Sequence, residues 1–591
     1  MNCFSTVSLS AILALAAVAA CSSPPPAIVE QAGSRAPRLG GHVGPAVDSA
    51  ATGPARFVEP LLASFDERAA MSIAEYADGF YRSPANEGYE QAIDRVLADL
   101  YGAGYKAEPG FELDVVTKGM PQPAWTPRSA KIVAVASAEV MERVGGDASR
   151  PTRQTLVEFK GPGDVERAML PEGAPSCDVE GVAVFSIDDV VEGSILVTDK
   201  SVRSVERKAV EKGAAAIVSS FLLPYCVDPT GNDRQHDAIF LGTVRPGATI
   251  PSFYVSPRAA QALRRGANVG TRFQLVATVE EKVTELRTVV ATIRGSERPD
   301  EYVAVLTQVD GAGANDNAAG IGGVVELART MKRLIDEGQI TRPNRSIRFI
   351  FGQESGSAKV ALDEVDGEPV AAIVADMIGS SYEQTGAVCL LERGWDPGAL
   401  VPLPPDKHTP WGAGEVTEED IIPNGLSIIV REALVDVGIA TARRGSPPWS
   451  TREHPWEGGE GHDAFLARGV AAVLIWHFTD FAYQTSLDRM EFVDPQELRR
   501  TAIAIGAAAL AVADARPTDL ERHLDSLNLE RRVRLDAIAV ADESAGLEQL
   551  WKDWFDGARF WLKALTASEQ LPKGEGLREL ESFGDGENGS E

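Results

Sequence analysis

Three short acidic segments stand at the ends of three apolar runs between Val303 and Asp376. Gly313-Ala314-Asn315-Asp316-Asn317 follows the run from Val303 to Val309, Gln353-Glu354 follows Ile347 to Phe351, and Asp376 follows Ala371 to Ala375. Apolar runs of this length read as buried strands. In an α/β sheet, ligands gather beyond the carboxyl ends of the strands. Asp316, Glu354 and Asp376 are therefore expected to converge on one pocket, and converging carboxylates favour a cation.

The same stretch contains Gln308-Val309-Asp310, Asp376-Met377-Ile378-Gly379 and, further on, Tyr483-Gln484-Thr485 with Asp488. In order and spacing, from about residue 285 to about 510, these segments resemble metallopeptidase family twenty-eight. Its members include co-catalytic zinc aminopeptidases, glutamate carboxypeptidases and the transferrin receptor ectodomain. The resemblance implies Asp316 as the ligand bridging two metal ions, Glu354 on one and Asp376 on the other. The family has histidine where Gln308 and Gln484 stand, and a glutamate general base where Gln353 stands. It also implies that Asp310 orients the first imidazole; here Asp310 is expected to accept from the Gln308 amide nitrogen, which turns the Gln308 oxygen to the pocket.

The three glutamines change the chemistry. Zinc sites use imidazole, carboxylate and thiolate, with one position left for an activated water. Carboxylates and amide carbonyls together suit Ca²⁺ or Mg²⁺. Gln353 cannot accept a proton from water, and losing a positioned general base costs about 10² to 10⁴ in rate. The expected cofactor is none or a weakly bound Ca²⁺ or Mg²⁺, unless Glu460, His462 or His477 replaces a lost group and zinc returns. Glu460 and His462 lie in Gly458-Gly459-Glu460-Gly461-His462-Asp463, where the family carries Gly-Gly-Ser-Asp-His. The plainer alternatives are that His454, His462 and His477 are hydrogen-bonded structural residues, and that the glutamines satisfy one another and fill space.

Two functions fit these residues. One is a homologue of zinc exopeptidases that is catalytically impaired or inactive and acts by binding a peptide or protein. The other is an active metalloaminopeptidase with a rearranged site. A serine hydrolase is not supported, because no Gly-x-Ser-x-Gly occurs.

The elements that must position these residues imply an α/β fold, a mixed central sheet flanked by helices as in zinc exopeptidases. The catalytic-type domain is expected over residues 56–149 and 284–515. Residues 150–283 read as a smaller β-rich insertion: a helix over Val202 to Glu211, strands near Ala214 to Val218 and Ile250 to Val255, and an alternating strand from Phe273 to Val279. This order resembles a protease-associated domain. Residues 516–591 read as a helical extension with a disordered acidic tail; Trp551, Trp554, Phe555, Ala558 and Leu562 share one helix face, which implies core packing or a partner surface.

Residues 1–20 form an apolar, small-residue run before Cys21-Ser22 and resemble a bacterial lipoprotein signal with Cys21 as the lipidated residue. Residues 21–55, rich in Pro, Ala and Gly, are expected to be a flexible tether. The chain of 591 residues would then be exported and anchored by lipid, in the periplasm or at the cell surface. Its net charge of −29 excludes a nucleic-acid partner, which needs a clustered basic face. Cys177 and Cys226 can form a disulfide or remain thiols, and without Cys-x-x-Cys spacing a zinc knuckle is not expected.

Overall fold

The computed structural model describes residues 51–144, 152–160, 168–541, 546–567 and 571. The signal-like run, Cys21, most of the tether and the acidic tail lie outside the described residues. Fifteen strands are formed among those described. The chain lays down β1 (Phe111–Gly119), β2 (Ala124–Ala136), β3 (Thr152–Phe159), β4 (Cys177–Val184), β5 (Ile195–Thr198), β6 (Ala216–Ser219) and β7 (Ser252–Tyr254). There follow β8 (Arg272–Lys282), β9 (Glu285–Ile293), β10 (Arg298–Gln308), β11 (Arg345–Gly352), β12 (Glu368–Ala375), β13 (Val388–Glu392), β14 (Thr451–His454) and β15 (Ala471–Phe478).

The larger sheet has the order β1-β9-β11-β10-β12-β15-β13-β14. Its centre, β11-β10-β12-β15, is parallel, with antiparallel strands beside it. Parallel strands need both faces covered, which accounts for the unbroken burial of β11 and β15. Side chains alternate between the faces: Val303 and Val305 enter one core, Ala304 and Leu306 the other. Helices Ala318–Asp336 and Pro495–Ala513 cover the first face, and almost every residue of the second helix is buried.

The smaller sheet runs β3-β2-β8-β4-β5-β6-β7 around its own core. It includes β2, so residues 124–136 belong to this unit and its start lies before residue 150, where the sequence had suggested a boundary. The reason is pairing along the strand: β2 runs antiparallel to β8 from Ala124 opposite Lys282 to Val135 opposite Arg272. An isolated run such as Ile132 to Val135 does not reveal which sheet will claim it. Only Val283 and Thr284 separate β8 from β9, which returns the chain to the larger sheet. The helix Val202–Glu211 forms over the expected residues, and the other elements shift by a few positions.

Helices Leu520–Ala539 and Leu547–Thr566 follow the larger sheet. Leu527, Ile538, Trp551, Trp554, Phe555, Ala558 and Leu562 all join the main core, so the aromatic stripe is packing. Cys177, Cys226 and Cys389 are free thiols. Cys177 sits on β4 against β8, whereas Cys226 is buried close enough to Asp480 to feel its charge. No helix among the described residues is long and apolar enough to cross a membrane.

Candidate functional site

The carboxyl ends of β10, β11 and β12 meet at one place, and the Gly313–Asn317 turn fastens them together. Asn315 N and Asp316 N donate to Asp488 at 2.8 and 2.9 Å. Asn317 Nδ2 donates to Thr307 Oγ1 and the Gln308 carbonyl, while its Oδ1 accepts from Met377 N at 3.0 Å. Asn315 Oδ1 accepts from Gly379 N, and its amide nitrogen reaches Ser380 and Asp480. Glycine is required at 313, since a Cβ there would lie 1.9 Å from Asp488 Oδ2. Beneath the turn, buried Arg82 donates to the carbonyls of Ala77, Val309 and Gly313.

Gln308 lies between two of the carboxylates: its Nε2 donates to Asp316 Oδ1 at 3.0 Å and to Asp376 Oδ1 at 3.1 Å. Asp310 does not accept from Gln308, contrary to the sequence expectation, and it is the Gln308 nitrogen that faces the pocket. Two bare carboxylates attract the amide donor more strongly than one lateral carboxylate does. Asp310 Oδ1 instead accepts from Glu354 N at 2.9 Å and also hydrogen-bonds Gln353. Gln353 caps the helix Glu354–Asp363, its Oε1 accepting from Gly356 N at 2.9 Å.

Asp316, Glu354 and Asp376 lie close enough for each to feel the others' charge. Burial and then the charges of Asp316 and Glu354 push the Asp376 carboxyl well up. Burial, followed by Asp310 and Asp316, raises Glu354 to about 8. Glu460 joins them: burial, Asp376 and Glu354 raise it well above the usual range, and its side chain hydrogen-bonds Glu354, which requires a proton on one of the two. Burial raises Asp310 to about 7. Arg82 acts in the opposite sense on Asp316, where burial nevertheless prevails.

Of the remaining residues singled out from the sequence, Gln484 is held by its backbone from the smaller unit, and His462 and His477 are turned away from the cluster. Gln484 adopts φ 50°, and its carbonyl accepts from Leu241 N at 2.8 Å; no described hydrogen bond joins its amide to the carboxylates. His477 does not reach the pocket, because its place on β15 turns it to the face covered by Pro495–Ala513. There Nδ1 contacts the Met377 carbonyl at 2.9 Å and Nε2 lies 3.4 Å from Glu497. His462 is likewise turned away, its Nε2 on Glu392 Oε1 at 3.0 Å. Both imidazoles are fully buried structural residues.

Sequence reasoning missed Glu392 and Arg82. Glu392 carries the same signal as the other acids, since it ends the apolar run Val388 to Leu391. One ligand atom each of Glu392, His454 and Glu457 lie within 4.8 Å of one another, so this buried group could hold a metal ion by proximity. Its lone pairs are already engaged. His454 Nε2 accepts from Trp476 Nε1 at 3.0 Å and Nδ1 faces the Pro455 carbonyl at 2.8 Å, as in a satisfied neutral imidazole. Glu457 accepts from Thr409 N and Oγ1 and is raised to about 7 by burial. Burial opposes ionisation of Glu392 too, but the hydrogen bond and charge of His462 hold it below the ordinary glutamate range.

Residues 288–385 match the model of Peptidase family M28. Similar solved structures include BSAP, a zinc aminopeptidase from Bacillus subtilis, at 14% identity and TM-score 0.47, covering 75% of this chain and 94% of that one. An aminopeptidase from Aneurinibacillus sp. strain AM-1 is 16% identical at TM-score 0.43, with 76% and 95% covered. A Peptidase M28 precursor from Shewanella amazonensis is 17% identical at TM-score 0.49, with 78% and 96% covered. No curated protein matches the sequence. Gln308, Asp310, Asp316, Glu354 and Asp376 all lie within the residues that match the Peptidase family M28 model.

Proposed function

We propose that this protein uses a peptidase scaffold to bind a peptide or protein ligand beside a hard divalent cation, with little or no hydrolysis. The observation that carries this reading is Gln308, an amide hydrogen-bonded to Asp316 and Asp376 where a zinc site would need an imidazole. The side chains gathered here offer oxygen and amide groups, and neither His462 nor His477 reaches them. This set does not fit zinc. It fits Ca²⁺ or Mg²⁺, which Asp316, Glu354, Asp376 and Glu460 would hold, with the Gln308 amide turned over to present its oxygen. The cation would neutralise carboxylates that otherwise repel one another. Gln353 has no proton-accepting role in this arrangement, since its oxygen caps a helix.

Glu460 supports a second reading, an active aminopeptidase with a rearranged site, because it brings another protonatable carboxyl to the cluster. Metal analysis and turnover separate the two. The full chain is expected to retain Mg²⁺, Ca²⁺ or Mn²⁺ in place of two zinc ions, and to leave aminoacyl anilides and dipeptides uncleaved. Turnover of about 1 to 10³ per second would overturn the binding reading.

The reading includes export and a lipid on Cys21, supported by the apolar run that precedes it. Mass spectrometry of the N-terminal peptide tests this. A diacylglyceryl adduct on Cys21 is expected, and an intact N-terminus from Met1 would refute it.

A further inference from the structure

Glu392, at the end of β13, is 1% exposed. Its Oε1 accepts three hydrogen bonds, from Glu457 N at 2.9 Å, Gly458 N at 2.8 Å and His462 Nε2 at 3.0 Å. Those donors bracket Gly459-Glu460-Gly461, so one buried carboxylate grips both ends of the turn that presents Glu460. Successive backbone N–H groups converging on an anion form a nest. Gly458 and Gly459 have φ of 85° and 100°, values that strain other residues, and glycines contribute little stiffness of their own. The position of Glu460 therefore depends on anchors outside the turn: Asp463 Oδ2, which accepts from Gly459 N at 2.8 Å, and Glu392, which holds both ends.

We infer that Glu392 is a positioning residue, which fixes Glu460 against Glu354 and Asp376 and thereby sets the cation affinity of the acidic cluster from outside it. The effect on affinity rests on the proposal that the cluster holds a cation; the grip on the turn does not. Glutamine at 392 would keep the shape, but it offers a neutral carbonyl in place of the carboxylate oxygen that takes all three bonds.

The test uses the full chain and two measurements. In hydrogen exchange, Glu392→Gln is expected to speed exchange of the Gly458 to Gly461 amides by about tenfold, with the Gly313 to Asn317 amides unchanged. In calorimetry with Mn²⁺, Glu392→Gln is expected to weaken binding about tenfold, as loss of an outer partner of a metal ligand does. Glu460→Gln should weaken it at least as much, and the double variant no more than Glu460→Gln alone, since both act through one group.

Unchanged exchange at Gly458 to Gly461, or additive losses of affinity, would overturn the inference. A wild type that binds no Mn²⁺, while Glu392→Gln still loosens the turn, would refute the cation proposal and uphold the grip. If Glu392→Gln does not fold, His462→Phe removes the imidazole donor and is expected to give the same pattern. Wild-type exchange and affinity in that variant would equally overturn the inference.

Discussion

Gln308 shows how one residue redirects a site. Its amide gives Asp316 and Asp376 a shared donor, but it cannot supply the net positive charge that so many carboxylates favour. The consequence is a pH dependence whose sign follows from linkage. Asp310, Asp316 and Glu354 rise to about 7, 6 and 8 in the folded chain, so it binds more protons than the unfolded chain above their ordinary values. Stability from these groups is fully present at low pH and is lost as pH climbs from about 4 to about 8. In a metal-free buffer, thermal scans of wild type should fall across that window more steeply than scans of Asp316→Asn/Glu354→Gln. Millimolar Mg²⁺ or Ca²⁺ should restore the wild type at the upper end and leave the double variant nearly unmoved. Equal slopes in both proteins would show that these carboxylates do not carry the burden.

At the scale of elements, the site is a junction of strand ends, and Arg82 is its buried tie. From the segment after helix Glu67–Asp78 it reaches back to Ala77 and across to Val309 and Gly313, holding the end of β10 against the turn. Methionine in its place would take the donor from the Val309 carbonyl, at about 1 to 3 kcal/mol, while the Ala77 and Gly313 carbonyls would keep Phe80 N and Ala318 N. Arg82→Met should therefore lose at least about 1 kcal/mol in urea unfolding, measured by the shift in midpoint at constant m. The helix Leu547–Thr566 poses a plainer packing question. Trp554 is 3% exposed within the main core, and Trp554→Ala should cost about 3 to 5 kcal/mol. A cost below 1 kcal/mol would mean that the stripe packs less closely than the structure shows.

Across the whole molecule, the C-terminal helices complete the larger unit. Arg534 pairs with Asp406 at 2.6 Å, Asp406 with Arg393 at 2.7 Å, and Glu530 with Arg431 at 2.8 Å, so buried charges are shared between the extension and the elements beneath it. Breaking such a pair by removing one partner costs about 3 to 5 kcal/mol, and the exposed apolar face adds to that. A chain ended after Arg516 should therefore be insoluble, or lack near-ultraviolet circular dichroism. A soluble, cooperatively unfolding truncation would show that the larger sheet is complete without its last helices. The smaller unit also reaches the site: Leu241 N donates to the Gln484 carbonyl and Ser486 N to the Ile239 carbonyl. The loop that bears Gln484 is thus held from the neighbouring sheet.

The sequence by itself pointed to the α/β class, because short apolar runs such as Ala371 to Ala375, set between stretches of helical periodicity, read as strands covered on both faces. It also placed Asp316, Glu354 and Asp376 at strand ends, which parallel strands bring to one edge of the sheet. The tertiary structure decided what local pattern cannot encode. Whether Ile132 to Val135 joins one sheet or the other depends on pairing with residues more than a hundred positions away. The direction of the Gln308 amide follows from which carboxylates surround it. His462 and His477, near the motifs in sequence, were assigned by strand face and helix placement to Glu392 and to Met377 with Glu497. Glu460 was drawn into the cluster by a glycine turn whose anchor, Glu392, lies 68 residues earlier in the chain, a separation that only the folded sheet closes.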